Sequence, residues 1–127
     1  MINKKPEKMG MEYDLKNDSL FLYKKDKTNY NESIEIGEDF ILDFDENSVP
    51  ISFEMLDVSK ILGVKKFSVK NLKKLSGVIG ISKDSIRIKL EFIVPAHREK
   101  LKKPVLFEVP NDFNLPNTIT NLDLAKA

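Results

Sequence analysis

Cysteine and tryptophan are absent, histidine occurs once, and glycine only five times in 127 residues. The missing cysteines exclude disulfides, thiolate metal ligands and a cysteine nucleophile, and they fit a reducing compartment such as the cytoplasm. Five scattered glycines leave little material for phosphate-cradling loops. Neither Gly-x-x-x-x-Gly-Lys nor Gly-x-Gly-x-x-Gly occurs, and Gly-x-Ser-x-Gly and His-Glu-x-x-His are missing too. No apolar run approaches the roughly 18–20 residues of a spanning helix, and Met1 to Gly10 lacks the apolar stretch of a signal peptide. The reading is a soluble, cytoplasmic chain with no membrane role, no cofactor and no catalytic set.

A core is nevertheless within reach. Leu, Ile, Val and Phe make up about a third of the chain, well above the roughly 20% that marks disorder. At this length a single domain hides about 65–70% of the surface its unfolded chain exposes.

The net charge of +1 conceals an asymmetry. Residues 31–57 carry nine acidic groups and no Lys or Arg, whereas residues 58–107 carry thirteen basic groups against three acidic ones. Two arrangements fit: acidic and basic strands pair across a sheet, or the charges separate and a basic face meets an acidic partner or nucleic acid.

The dominant hydrophobic period is two. Met11, Tyr13, Leu20 and Leu22 form a hairpin about Lys16-Asn17, with Asn17 supplying the positive φ. Phe40, Leu42 and Phe44 answer Ile51, Phe53 and Met55 across a turn at 46–49, placing Phe44 opposite Ile51, Leu42 opposite Phe53 and Phe40 opposite Met55. A one-residue slip would expose all six, so register is tightly set. Asp57 as N-cap and Gly63 as stop define a short helix to Leu62, and Ser68 caps a second over Val69–Leu75 that ends at Gly77. Ile79 and Ile81 pair with Ile86, Ile88, Leu90 and Phe92 about Lys83-Asp84. Pro95 to Pro104 reads as a loop before a strand through Val105, Phe107 and Val109.

These elements predict an α+β fold: an antiparallel sheet of successive hairpins, with one or two short helices packed on one face. Residues 1–10 read as a flexible N-terminal segment. Residues 11–110 form the single domain, in halves 11–62 and 63–110, and 111–127 form a tail that lies on the surface or frays.

Candidate chemistry is sparse. His97 stands in a charged loop with no partner for acid–base work. Asp43 and Asp45 share a strand face with Glu54 diagonal to Asp43, a spacing of about 7 Å that a hydrated cation could bridge. Asp43-x-Asp45-x-Asn47 imitates the opening of a calcium loop, but Ser48 stands where that loop needs glycine, and Pro50 opposes it. The alternative role for these carboxylates is to accept backbone N–H bonds at turns. For nucleic acid the candidates are Lys65, Lys66, Lys70, Lys73, Lys74, Arg98, Lys100, Lys102 and Lys103, with Lys60 nearby. Phe67 is the one aromatic among the basic helices.

Tyr13-Asp14, Asp18-Ser19-Leu20-Phe21-Leu22, Ile41-Leu42-Asp43-Phe44-Asp45-Glu46 and Ile51-Ser52-Phe53-Glu54-Met55-Leu56-Asp57-Val58-Ser59 together resemble the domain-of-unknown-function family 2283. The resemblance spans roughly residues 11–62, and Ser48 and Ser52 occupy positions where the family usually has glycine. It implies a small β-rich domain without assigned activity, some of whose members look like the accessory or antitoxin half of toxin–antitoxin pairs. Tyr13, Asp14, Asp18, Asp43, Asp45 and Glu54 carry over as pattern residues. The leading expectation is a non-enzymatic module that binds a protein partner or its own copy through a sheet edge. Nucleic-acid binding through 60–103 is the alternative, and a carboxylate- or metal-dependent hydrolase the third reading.

Overall fold

The computed structural model describes residues 7–25 and 29–125. Nine strands and two short helices follow one another: β1 (Glu7–Asp14), β2 (Ser19–Lys24), β3 (Tyr30–Ile36), β4 (Phe40–Asp45), β5 (Pro50–Met55), α1 (Val58–Leu62), α2 (Lys66–Lys70), β6 (Lys74–Ile81), β7 (Ser85–Ala96), β8 (Glu99–Pro110) and β9 (Thr118–Ala125). They form one sheet in the order β3-β4-β5-β2-β1-β9-β6-β7-β8, antiparallel at every step except β1 against β9.

Strict alternation builds the core. Leu20 and Leu22, Phe40, Leu42 and Phe44, Phe53 and Met55, and Ile86 through Val94 at every second position are all buried. These side chains form a single cluster with Val58, Leu62, Val69 and Leu72 from the helical segment. Phe40 of β4 and Phe107 of β8 stand near opposite ends of the strand order, yet their ring centroids lie 4.3 Å apart, edge to face. The sheet therefore curls over so that its two arms share one interior.

Most pairings follow the hydrophobic pattern. Met11 lies opposite Leu22 and Tyr13 opposite Leu20; Leu42 faces Phe53 and Phe40 faces Met55; Ile79 faces Ile88 and Ile81 faces Ile86. Three turns depart from expectation. In the first hairpin the positive φ belongs to Asp18, at 54°, and not to Asn17. In the second, a bulge between Asp43 and Phe44 moves Phe44 opposite Pro50 instead of Ile51. The 95–104 loop is absent: β7 continues to Ala96, turns through His97 and Arg98, and returns as β8. Pro104 is accommodated because β8 is an edge strand, and Pro95 because it lies beyond Ile93, the last β7 residue paired with β6.

The second helix is displaced as well. It spans Lys66–Lys70, not Val69–Leu75, and ends where the Asn71 carboxamide donates to the Phe67 carbonyl at 2.9 Å. Val69 and Leu72 are buried as the pattern required, while Leu75 is buried from within β6. Gly77 stops no helix. It lies inside β6, where a Cβ would collide with the Lys89 carbonyl and the Leu90 side chain of β7.

The largest differences fall at the two ends. The flexible segment expected over 1–10 lies outside the described residues through residue 6, and residues 7–10 open β1. The tail expected at 111–127 instead supplies β9, inserted between β1 and β6 with Thr120 and Leu122 buried. Leu122 joins the core cluster from this position and Leu124 packs against it, which removes their apolar surface from water. No helix among the described residues is long and apolar enough to cross a membrane.

Candidate functional site

The turn joining β1 to β2 is short and polar, and its last residue turns inward. Asp18 is only 4% exposed although it carries a carboxylate. A left-handed backbone, which Asp tolerates better than most residues, aims that group at the start of α1. There it accepts the Ser59 amide N–H at 3.1 Å through Oδ1 and the Ser59 hydroxyl at 2.7 Å through Oδ2. The Tyr13 hydroxyl donates to Oδ1 at 2.6 Å, and the Asp18 carbonyl accepts the Val58 N–H. Asp18 thus caps the helix from 41 residues away. Asp57, the expected cap, has a left-handed backbone and makes no side-chain capping bond.

The electrostatics follow from those contacts. Burial pushes the Asp18 carboxyl up, but the bonds from Ser59 and Tyr13, with the Lys66 charge, outweigh it and hold the group below the usual carboxylate range. Tyr13 is pushed well above the ordinary phenol value, first by burial and then by the Asp18 carboxylate. Asp14, at the exposed hairpin tip, is lowered by the Asn17 amide and carboxamide that donate to it.

A pH dependence results. A depressed carboxyl contributes stability that is present above its unfolded value of 3.8 and lost as pH falls through the lower folded value. A raised phenol contributes stability that is present below 10.0 and lost as pH climbs above it. Unfolding free energy measured in urea should be level near neutrality, then fall below about pH 4 and above about pH 10. In Asp18→Asn the Asp18 share of the acid limb should vanish. An unchanged acid limb in that variant would contradict the assignment.

The acidic candidates serve the sheet. Asp43 accepts from Ser33 and Ser52, each at 2.5 Å, and so ties β3, β4 and β5 together. Asp45 accepts the Asn47 and Val49 amides and closes its own turn, whose Ser48 has φ 59° at the position where the family usually has glycine. Glu54 accepts the Ser19 hydroxyl at 2.6 Å, joining β5 to β2. Among the described residues no group of three or more His, Asp or Glu side chains is disposed to hold a metal ion. The partner serines, Ser19, Ser33, Ser52 and Ser59, were not singled out as site residues by the sequence reading. Ser19 and Ser59 stand within the stretches that carry the family resemblance, and Ser52 at a position where the family usually has glycine; their pairing with Glu54, Asp18 and Asp43 is what the structure adds.

The acidic strands do not pair with the basic ones. No strand among β3, β4 and β5 pairs with β6, β7 or β8; β2, β1 and β9 stand between the two sets. Pairing of acidic with basic strands across the sheet is therefore not the arrangement. Among the described residues three ion pairs occur, Lys60–Asp57, Arg87–Glu108 and Lys102–Glu91, all exposed and each worth about 0–1 kcal/mol.

The pairing of β6, β7 and β8 brings part of the basic set onto one row. Lys74, Ile93 and Lys102 form one cross-strand row, and the Lys73 N–H donates to the Ile93 carbonyl at 2.8 Å. Lysines some thirty positions apart in the chain thereby share one row, two strand spacings or about 10 Å apart. Lys65, Lys66 and Lys70 are exposed on α2 and its approach, and Phe67 beside them is 69% exposed. Arg98 and Lys100 lie at the β7–β8 tip with His97, which has φ 51° and occupies the turn. Lys103, half-buried, lies opposite Phe92 on the core-facing row.

A protein of Methanosarcina mazei, named provisionally as a hypoxanthine phosphoribosyltransferase, is 29% identical over 113 residues, which are 89% of this chain and 90% of that one. An uncharacterized protein of Methanocaldococcus jannaschii is 32% identical over 101 residues, 78% of this chain and 85% of its own. No solved structure matches. The model of the family described as protein of unknown function DUF2283 matches residues 11–59, the stretch that holds Tyr13, Asp18, Asp43, Glu54 and Ser59, and the chain belongs to that family.

Proposed function

We propose that this protein is a non-enzymatic binding module that receives an extended segment of a protein partner along β8. The observation that carries this reading is the edge itself. All twelve residues of β8 pair with β7, and β8 ends the strand order, so its other side presents unpaired backbone groups. Strand addition to such an edge gains affinity from main-chain hydrogen bonds and specificity from alternate side chains. Leu106, 56% exposed in the middle of β8, supplies an apolar contact.

The transferase name borne by the Methanosarcina protein finds no support in this chain's geometry. A phosphoribosyl site relies on backbone N–H groups presented by glycine loops or helix starts. Here the glycines stand singly, and the start of α1 already holds the Asp18 carboxylate.

The test is capture from native lysate followed by light scattering of the purified complex, with Leu106→Lys as the comparison. We expect a defined complex with the natural chain and at least a tenfold loss with Leu106→Lys. A chain that stays monomeric and recovers no partner overturns the reading, and so does capture indifferent to the substitution.

A further inference from the structure

Beyond the strand-edge reading, and on a different surface, we infer that α2 and the foot of β6 form a binding site for single-stranded nucleic acid, with Phe67 as the stacking platform. Two independent observations meet here. The first is an aromatic ring where burial would be the default: Phe67 is 69% exposed, whereas Val69, two residues on, is fully buried and anchors the helix. The Phe67 backbone is fixed by bonds from both the amide and the side chain of Asn71 to its carbonyl. The ring is thus presented to solvent on a rigid base.

The second observation is the surrounding charge. Exposed Lys65, Lys66 and Lys70 share the helix and its approach with Phe67, and Lys73 and Lys74 follow at the start of β6. The first turn of α2 holds no acidic residue. Among the described residues Lys65, Lys70, Lys73 and Lys74 have no carboxylate within ion-pair distance, whereas the Lys66 charge reaches Asp14 and Asp18. Four lysines without ion-pair partners around an exposed ring match what a flexible polyanion with unstacked bases requires. A duplex keeps its bases stacked and would leave the ring unused, so the single strand is the favoured form.

The experiment is fluorescence anisotropy with a labelled oligothymidylate of about 12 nucleotides, within the usual range of such sites, titrated at several salt concentrations. Supporting results are binding at 50 mM salt that weakens steeply with added salt, and preference for the single strand over a duplex of equal length. Phe67→Ala should weaken binding about tenfold, Phe67→Trp should restore it, and Lys70→Ala should lower the salt slope by roughly one. Phe67 is exposed, so its variants should melt like the natural chain. No binding at 50 mM salt overturns the inference, as does an affinity unmoved by Phe67→Ala. Equal competition by polyglutamate also overturns it, because the surface would then be recognising acidic protein. The strand-edge reading is judged separately, by Leu106→Lys.

Discussion

We expect Asp18→Ala to lower the stability of the fold by about 3 kcal/mol. The substitution removes the acceptor for the Ser59 amide, the Ser59 hydroxyl and the Tyr13 hydroxyl. Each buried donor left without a partner costs about 1–3 kcal/mol, partly offset where water enters. The backbone adds to the loss, because φ is 54° and alanine is less tolerant of the left-handed region than Asp by about 1 kcal/mol. For a chain of this size the melting temperature should fall by roughly 10 °C. Asp18→Asn keeps one acceptor and tolerates the same backbone, so it should lose only about half as much. Urea unfolding of both variants checks the ordering. A loss below about 1 kcal/mol for Asp18→Ala would show that the carboxylate does not hold α1 in place.

Deleting residues 117–127 should abolish cooperative folding. Each of the eight β6 residues from Lys74 to Ile81 pairs with a residue of β9, and Glu7 and Lys8 pair with its other side. Without β9 the sheet separates into two arms, and the apolar surface of Met9, Ile79 and their neighbours meets water. Circular dichroism melting of the shortened chain should give no sigmoidal transition, and added synthetic peptide 117–127 should restore one. A sharp melt of the shortened chain alone would contradict the central place given to β9. Leu122→Ala offers a milder version, destabilising by about 2–4 kcal/mol through a cavity between β9 and its neighbours.

These two predictions also mark what was legible in the sequence. Alternation of apolar residues specifies which face of a strand is buried, so the registers of Tyr13 with Leu20, Leu42 with Phe53 and Ile79 with Ile88 could be read directly. Alternation says nothing about which strands become neighbours. β9 is the case in point: Leu122 and Leu124 alternate with Asn121 and Asp123, but the run is short, Ile119 lies on the exposed row, and nothing in it names β1 and β6 as its neighbours. The second helix was misplaced because Val69, Leu72 and Leu75 have helical spacing, although the chain changes from helix to strand between them.

The candidate site divides in the same way. Tyr13, Asp14 and Asp18 were visible as a pattern, and so were the lysines. The role of Asp18 was hidden because its partner, Ser59, is forty-one positions distant, and a cap supplied by another element leaves no local trace. Asp57, adjacent to α1 and of the right chemical type, was the natural local choice. Exposure of Phe67 was likewise undecidable from spacing, since Val69 and Leu72 supply enough apolar surface to dock α2 without it.

The parallel contact between β1 and β9 has a consequence for biogenesis. Synthesis runs from β1 to β9, so the nascent chain must carry two unfinished ribbons until the segment Thr118–Ala125 clears the ribosome. During that interval β1 and β6 both display raw borders suited to pairing with a neighbouring polypeptide, which exposes the newborn molecule to clumping and gives chaperones something to shield. Closure joins pieces more than a hundred positions apart, and pairings of such long separation are the ones that slow folding.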